Sequence, residues 1–124
     1  MRALWCSRHK PLLAQIKVLG DRGVTLIIPN KTFFTDADEV IQLAKAFNCQ
    51  IIIPVLPLSV IAKICEAAER ENLTVLYPLM EELNNTVDFN EETDVKLNVA
   101  GKTKVARFKF FKRVRGVKLV LEDW

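Results

Sequence analysis

Apolar runs rich in β-branched residues alternate with amphipathic segments through residues 1–80, and this alternation limits the folds open to the chain. The run CQIIIPVLP, residues 49–57, is apolar on both faces, which is typical of a central parallel strand covered by helices on each side. The other runs are RALWCS, VTLIIP and LTVLYPLM. The intervals between runs are long enough for right-handed crossovers. The sequence therefore predicts an α/β fold, β-α-β-α-β-α-β over residues 1–80, arranged as a Rossmann-like three-layer parallel sheet.

Helical periodicity supports three helices between these strands. The first begins near Pro11, and its expected inward stripe is Leu12, Leu13, Ile16 and Leu19. In the second, Thr35 is expected to cap the amino terminus, with acids in the first turn suiting the helix dipole. Its inward-facing residues are expected to be Val40, Leu43, Ala44 and Phe47. The third, residues 59–71, is expected to bury Ile61, Ile64, Cys65 and Ala68 and to end at Asn72.

The C-terminal third has a different pattern, with charge separated along the chain. Six acids and no base occupy residues 81–94, whereas nine bases and no acid occupy residues 96–118. Residues 81–95 form an acidic, irregular segment, and residues 96–124 alternate apolar and charged residues, which predicts a basic antiparallel β-hairpin extension of two or three strands. Turns are expected at Ala100-Gly101 and Arg115-Gly116. The residues expected on its packed face are Phe108, Phe110, Val117, Leu119 and Leu121.

Length and composition set further bounds. A chain of 124 residues, half of them hydrophobic and 27% charged, fits one globular domain over residues 1–124. No apolar run approaches the roughly 18 residues of a membrane span, and the N-terminal run is too short for a signal peptide. Three cysteines without a C-x-x-C spacing indicate buried, reduced thiols and no structural metal site. We therefore expect a cytoplasmic protein.

The predicted topology gives the place for a ligand site. In open α/β sheets, ligands bind beyond the carboxyl ends of the strands, where the winding direction reverses. The loops expected at that rim carry cations, hydroxyls and an amide, and their candidate ligand-binding residues are Arg8, Lys10, Asn30, Lys31, Thr32 and Ser59. Together with helix N-termini they suit phosphate or another anion. No G-x-G-x-x-G and no G-x-x-x-x-G-K-[ST] occurs, which disfavours dinucleotide binding and P-loop phosphoryl transfer.

Ser7 and His9 are the candidate catalytic residues. The chain has a single histidine, and an imidazole beside a hydroxyl and two cations can act as general acid or base on a phosphodiester. No cofactor is expected. The alternative is a histidine without a chemical role, either exposed to solvent in the loop or capping its own turn. Simple solvation at the surface is the corresponding alternative for the cations, and helix capping is that for Ser59.

The basic C-terminal strands support a second hypothesis, a non-catalytic protein that binds nucleic acid or an acidic partner. Its candidate residues are Arg107, Lys109, Lys112 and Arg113, which are interleaved with phenylalanines. Strand alternation alone produces the same pattern on an edge strand whose charges prevent aggregation. The acidic segment is also placed to neutralise part of this basic face.

The stretch CSRHKPLLAQIKVL, with the order Ser-x-His-x-Pro and a glutamine four residues on, resembles small Rossmann-like proteins associated with type III CRISPR loci and mobile elements. The resemblance covers mainly residues 1–80. Some members of that group degrade cyclic oligoadenylate messengers, so the resemblance implies a metal-independent phosphodiesterase with Ser7 and His9 as the positions to test. We expect a homodimer, because a small sheet has exposed edges and a ligand of that size suits two copies.

Overall fold

The computed structural model of the protein describes residues 1–31, 33–83 and 88–124. Its elements in chain order are β1 (Arg2–Cys6), α1 (Leu13–Asp21), β2 (Thr25–Ile27), α2 (Ala37–Ala46), β3 (Ile51–Pro54), α3 (Leu58–Arg70), β4 (Thr74–Leu83), β5 (Asp94–Val99) and β6 (Lys102–Arg113). No helix of the described residues has the length and apolar character needed to cross a bilayer.

All six strands belong to one mixed sheet with the order β2-β1-β3-β4-β6-β5. The strands β2, β1, β3 and the start of β4 run parallel, whereas β6 is antiparallel to both β4 and β5. The predicted α/β class is confirmed, and the antiparallel extension continues the same sheet. We call β1–β3 with the three helices the parallel half, and β4 from Leu76 onward with β5 and β6 the antiparallel ribbon.

Helices cover both faces of the parallel strands. On one face, α2 and α3 pack Val40 and Ile64 against Leu4 and Ile52 in the larger core. On the other, α1 packs Leu19 in a smaller core that includes β1 and β3 residues. Neighbouring β3 residues thus face opposite cores, as the two-sided apolar run predicts.

The predicted stripe of α3 is confirmed, and that of α2 is confirmed except at Phe47, which is 38% exposed. In α1 the prediction is confirmed for Leu19 and wrong for two other residues. Leu13 and Ile16 are exposed, and the buried residues of α1 are Gln15 and Leu19. The backbone N–H of Leu12 donates to Gln15 Oε1 at 2.8 Å, so the glutamine closes the first turn and turns that side of the helix inward. After α3, Asn72 adopts φ 55°, the left-handed conformation that commonly ends helices.

The antiparallel ribbon confirms the predicted turn at Ala100-Gly101, but the side chains that β6 buries differ from those predicted. Ala100 and Gly101 have φ of 52° and 77°, as a tight two-residue hairpin requires. Met80 pairs with Phe108 but Leu79 with Phe110, so β6 contains a bulge between them. An extra residue reverses which face the following side chains occupy, so Phe111 packs inward with Phe108 at 5.0 Å between ring centroids.

Phe110, expected in the core, is therefore 48% exposed. Beyond Arg113 the chain forms no further strand, and the remaining residues expected on the packed face, Val117, Leu119 and Leu121, are exposed as well. Residues 81–83 of the segment expected to be irregular belong to β4, and residues 84–87 lie outside the described residues.

The ribbon curls over the α1 face of the sheet. β4 pairs with β3 only at Thr74 and Val75, and from Leu76 onward it pairs with β6. The turn before β5 reaches α1, where the N–H of Ala14 donates to the carbonyl of Glu92 at 3.0 Å. This curl encloses space between α1 and the ribbon.

Candidate functional site

The winding of the parallel strands reverses at β1. In the sheet β2 lies on one side of β1, and β3 lies on the other. The loops that follow β1 and β3 therefore run in opposite directions from the carboxyl ends of these strands. This is the topological switch point at which ligands bind in open α/β sheets. The β1 loop, Ser7 to Lys10, lies at this place, as the sequence predicts.

Hydrogen bonds hold the backbone of the β1 loop. The N–H of His9 donates to Ser7 Oγ at 3.0 Å, and the carbonyl of His9 accepts from Trp5 Nε1 at 2.7 Å. Ser7 is only 7% exposed, so its hydroxyl forms a local turn with the backbone. The structure records no bond between that hydroxyl and the imidazole among the described residues. The His9 side chain is exposed on a fixed backbone.

A cavity of about 620 Å³ opens at the switch point, and we call it the switch-point cavity. Arg8 and His9 contribute its charged and titratable groups, while Phe33, Val55 and Leu56 supply apolar wall. The β1 loop has no salt bridge to an acid in residues 1–31, 33–83 and 88–124. The cavity therefore combines apolar surface with an unpaired guanidinium and an imidazole.

The amino terminus of α3 adjoins this cavity through Pro57 and Val60. The first turn of α3 contains no acid, whereas that of α2 contains Asp38 and Glu39. Because acids already compensate the positive end of the α2 dipole, α3 is the helix start at the cavity that suits an external anion.

The other predicted ligand-binding positions do not line the switch-point cavity in the described residues. Lys31 forms an ion pair with Glu39 of α2. Asn30 and Ser59 are exposed and lie outside this cavity. Ser59 lies inside α3, whose N-cap is Pro57, so the capping alternative for this serine is wrong. Thr32 lies outside the described residues.

The expected cap of α2 also moves by one residue. Asp36, not Thr35, is the N-cap, because its Oδ1 accepts from the N–H of Asp38 at 3.0 Å. Thr35 instead lines the switch-point cavity. The loop residues Phe33 to Thr35 were not predicted for the site, and only their position before a helix could have indicated them.

A second cavity, of about 260 Å³, lies on the opposite side of the β1 loop, and we call it the α1-side cavity. It is enclosed by Trp5, Gln15 of α1 and the curled ribbon. Ser7, His9 and Lys10 also line it, so His9 adjoins both cavities. Gln15 was missed as a site residue, although a glutamine three residues after the helix start is a recognisable capping signal.

The basic ribbon residues are largely engaged within the chain. Lys109 Nζ lies 2.7 Å from Glu81 and Lys104 Nζ 3.5 Å from Glu82 across the β4–β6 pairing. Lys112 Nζ lies 5.0 Å from the centroid of the Phe110 ring. Arg113 lines a small cavity of about 110 Å³ beside α3. Acids thus neutralise part of the basic face, through paired strands.

Asp94 and Arg107 form the most buried ion pair of the ribbon. Arg107 Nε and Nη2 donate to the two carboxylate oxygens at 2.7 and 2.9 Å, and the Asp94 side chain has no solvent exposure. The guanidinium, with the N–H of Asn90 and the hydroxyl of Thr93, holds the pKa of Asp94 well below its usual range. Arg107 is thereby committed to the hairpin.

The cysteines are buried, free thiols, as predicted. Burial raises the pKa of Cys6 to about 12, with smaller contributions from Cys49 and Glu39. Such a thiol is a poor nucleophile. No group of three or more metal-binding side chains is found among the described residues.

Comparison of the chain with protein-family models, curated proteins and solved structures finds no match.

Proposed function

We propose that this protein binds a phosphate-containing small molecule, a nucleotide or a cyclic oligonucleotide, at the switch-point cavity. The observation that carries the proposal is that Arg8 and His9, on a fixed loop at the topological switch point, line this cavity and form no salt bridge with an acid of the described residues. The start of α3, whose first turn contains no acid, adds backbone N–H groups that can donate hydrogen bonds to phosphate oxygens. The parallel half, with its strand order β2-β1-β3 and helices on both faces, is on this proposal a Rossmann-like unit that carries the ribbon as an extension.

Ligand binding tests this proposal directly. We expect a cyclic oligoadenylate or a mononucleotide to raise the melting temperature of the wild-type protein by mass action. Arg8→Ala removes a charge-assisted contact and should weaken binding about tenfold or more. The matched control is Lys109→Ala, which removes a cation already paired with Glu81 and should leave affinity unchanged. Equal binding by the wild type and Arg8→Ala would refute the site.

We further propose that His9 assists metal-independent cleavage of a bound phosphodiester. A hydroxyl nucleophile attacks the phosphorus, the bond from phosphorus to the leaving oxygen breaks, and the imidazole transfers the proton between nucleophile and leaving group. In this role Ser7 fixes the loop, because its Oγ accepts a hydrogen bond from the backbone N–H of His9. The support is geometric: the imidazole borders both cavities.

Cleavage of a cyclic oligoadenylate in EDTA, followed by chromatography of the products, tests this step. His9→Ala should abolish turnover while binding persists, because Arg8 and the α3 terminus remain. Turnover at the wild-type rate in His9→Ala, or turnover that requires an added metal, would contradict the proposal.

The binding of nucleic acid through the ribbon is less well supported. Two of its four candidate residues, Arg107 and Lys109, are held in ion pairs within the chain. Phosphate binding there would have to displace those acids. Steeply salt-dependent nucleic-acid binding that is lost in Lys112→Glu or Arg113→Glu would favour that alternative.

We also propose that the protein works as a homodimer in the cytoplasm. The sheet leaves β2 and β5 as open edges, and Leu119, Val120 and Leu121 are at least 80% exposed. The free thiols suit a reducing compartment. Light scattering coupled to size exclusion should give twice the chain mass of 14.1 kDa, and a monomer at micromolar concentration would overturn the dimer.

A further inference from the structure

The α1-side cavity has the composition of a site for a planar organic group. Its walls include the apolar side chains of Val55, Met80 and Leu97 and the indole of Trp5. Its volume of about 260 Å³ lies just below the roughly 300 Å³ at which pockets for drug-sized ligands begin. A single heterocycle with part of a sugar fits such a space better than a dinucleotide does.

Gln15 supplies a polar group inside this cavity. It is only 4% exposed and lines the cavity wall. Its Oε1 accepts from the N–H of Leu12 at 2.8 Å, which fixes the carboxamide with the oxygen toward the backbone. No hydrogen bond from Nε2 is found in the described parts of the chain. The two N–H groups of Nε2 are therefore available to a group that enters the cavity.

Cationic and titratable groups of the β1 loop stand at the same cavity. Lys10 and His9 line it, and His9 also lines the switch-point cavity on the other side of the loop. A ligand whose phosphate is held at His9 and Lys10 can place an attached ring against Trp5 and Gln15, because all four residues line one cavity. No acid of the described residues forms a salt bridge with Lys10 that would compete for this cation.

We propose that the α1-side cavity is the base-binding subsite of a nucleotide. The ring lies between apolar walls, and Gln15 Nε2 donates a hydrogen bond to a ring nitrogen or carbonyl oxygen of the base. Gln15 is then a specificity-determining residue for the base, whereas Arg8 acts on phosphate. This inference rests on the proposed function for the phosphate and adds the class of group attached to it.

Two probes separate the base from the phosphate: adenosine 5′-monophosphate and ribose 5-phosphate, which lacks the base. The chain has two tryptophans, so Trp124→Phe leaves Trp5 as the one fluorophore of its kind, at the wall of the cavity. In this background we expect the nucleotide to change Trp5 emission and to bind about tenfold tighter than ribose 5-phosphate.

Gln15→Glu keeps an oxygen acceptor for the Leu12 N–H but removes the donors. It should abolish the preference for the nucleotide, read as the ratio of the two affinities, because the added carboxylate charge acts on the phosphate of both probes alike. Leu97 lines the same cavity and is 37% exposed, so Leu97→Trp should fill the cavity while Gln15 and its contact in the first turn of α1 are kept. This substitution should also abolish the preference for the nucleotide, as measured by calorimetry. Arg8→Ala, in contrast, should weaken both probes.

The outcomes distinguish the two proposals. If both probes bind the wild type equally and neither Gln15→Glu nor Leu97→Trp alters their ratio, the base subsite is refuted while the phosphate site stands. If neither probe binds, the proposed function fails and the base subsite falls with it. A preference for the nucleotide that survives both substitutions would also overturn the role of this cavity.

Discussion

The β1 loop of the parallel half and the antiparallel ribbon use positively charged side chains differently. In the ribbon, Arg107 and Lys109 are paired with Asp94 and Glu81. In the β1 loop, Arg8 and Lys10 form no salt bridge with any acid of the described residues and stand at cavities. The ribbon has more cations, but Lys104, Arg107 and Lys109 are already paired with acids of the chain, whereas neither loop cation is paired with an acid of the described residues. A count of basic residues in the sequence therefore overstates how many cations of the ribbon are unpaired.

The difference follows from how the two regions are built. Antiparallel pairing sets side chains of neighbouring strands opposite each other, so an acidic segment beside a basic strand forms cross-strand pairs. A loop at the carboxyl end of a parallel strand faces helix amino termini instead, and these attract anions. The cations of such a loop and the positive end of the helix dipole thus both favour an anion.

The ribbon should depend on the bulge in β6, and two phenylalanines test this with the largest effect that we expect. Phe108→Ala removes a ring that is 7% exposed and packs on Phe111, and should cost about 3 kcal/mol in free energy of unfolding. Phe110→Ala removes a ring on the other face, 48% exposed, and should cost less than about 1 kcal/mol. Urea denaturation measures both.

Equal losses for the two substitutions would mean that strand alternation continues through β6 without a bulge. The ribbon would then present a different set of cations, and its contrast with the β1 loop would have to be reconsidered.

Sequence reasoning succeeded where one local pattern determines the outcome. The apolar runs predicted β1, β3 and the start of β4, and the apolar stripe through Ile61 and Ile64 predicted α3. These elements were predictable because the periodicity of apolar residues directly indicates which side chains are buried. It failed where tertiary pairing decides. Nothing local indicates that β6 takes an extra residue, that Phe111 rather than Phe110 turns inward, or that the ribbon curls over α1.

The candidate site divides in the same way. Topology alone placed the β1 loop at the switch point, because parallel strands end at one edge. The engagement of Lys31 by Glu39 could not be predicted, since it depends on where α2 lies. Gln15 was missed because it is polar, and polar residues of a helix are expected to face solvent. A polar residue is buried where it closes the first turn of the helix or contacts a ligand.

The Asp94–Arg107 pair should be the strongest electrostatic contact of the ribbon. Asp94→Asn removes the buried carboxylate charge and should lower the free energy of unfolding by about 2 kcal/mol at pH 7. Thermal unfolding measures the loss, with Glu82→Gln as the control on an exposed pair. An unchanged melting temperature would show that Arg107 is free for a partner and would restore the ribbon as a binding surface.

The same pair predicts a pH dependence. The folded protein holds the pKa of Asp94 below its ordinary value, so the unfolded chain takes up a proton first as the pH falls. The stabilisation is therefore present above about pH 4 and lost progressively below it. The difference in unfolding free energy between the wild type and Asp94→Asn should shrink between pH 7 and pH 3. A constant difference would assign the loss to packing rather than charge.

The Lys109–Glu81 pair should give the smallest effect. Both side chains are about half exposed, so solvent and salt screen their attraction, and Lys109→Ala should cost less than about 0.5 kcal/mol. Measured at low and at high salt, the small difference should disappear at high salt. A loss comparable to that of Asp94→Asn would mean that surface ion pairs also stabilise the ribbon.

A gain in stability for Lys109→Ala would instead show that the positive charges of the ribbon repel one another. The ribbon would then have cations available to an acidic partner, as the β1 loop does.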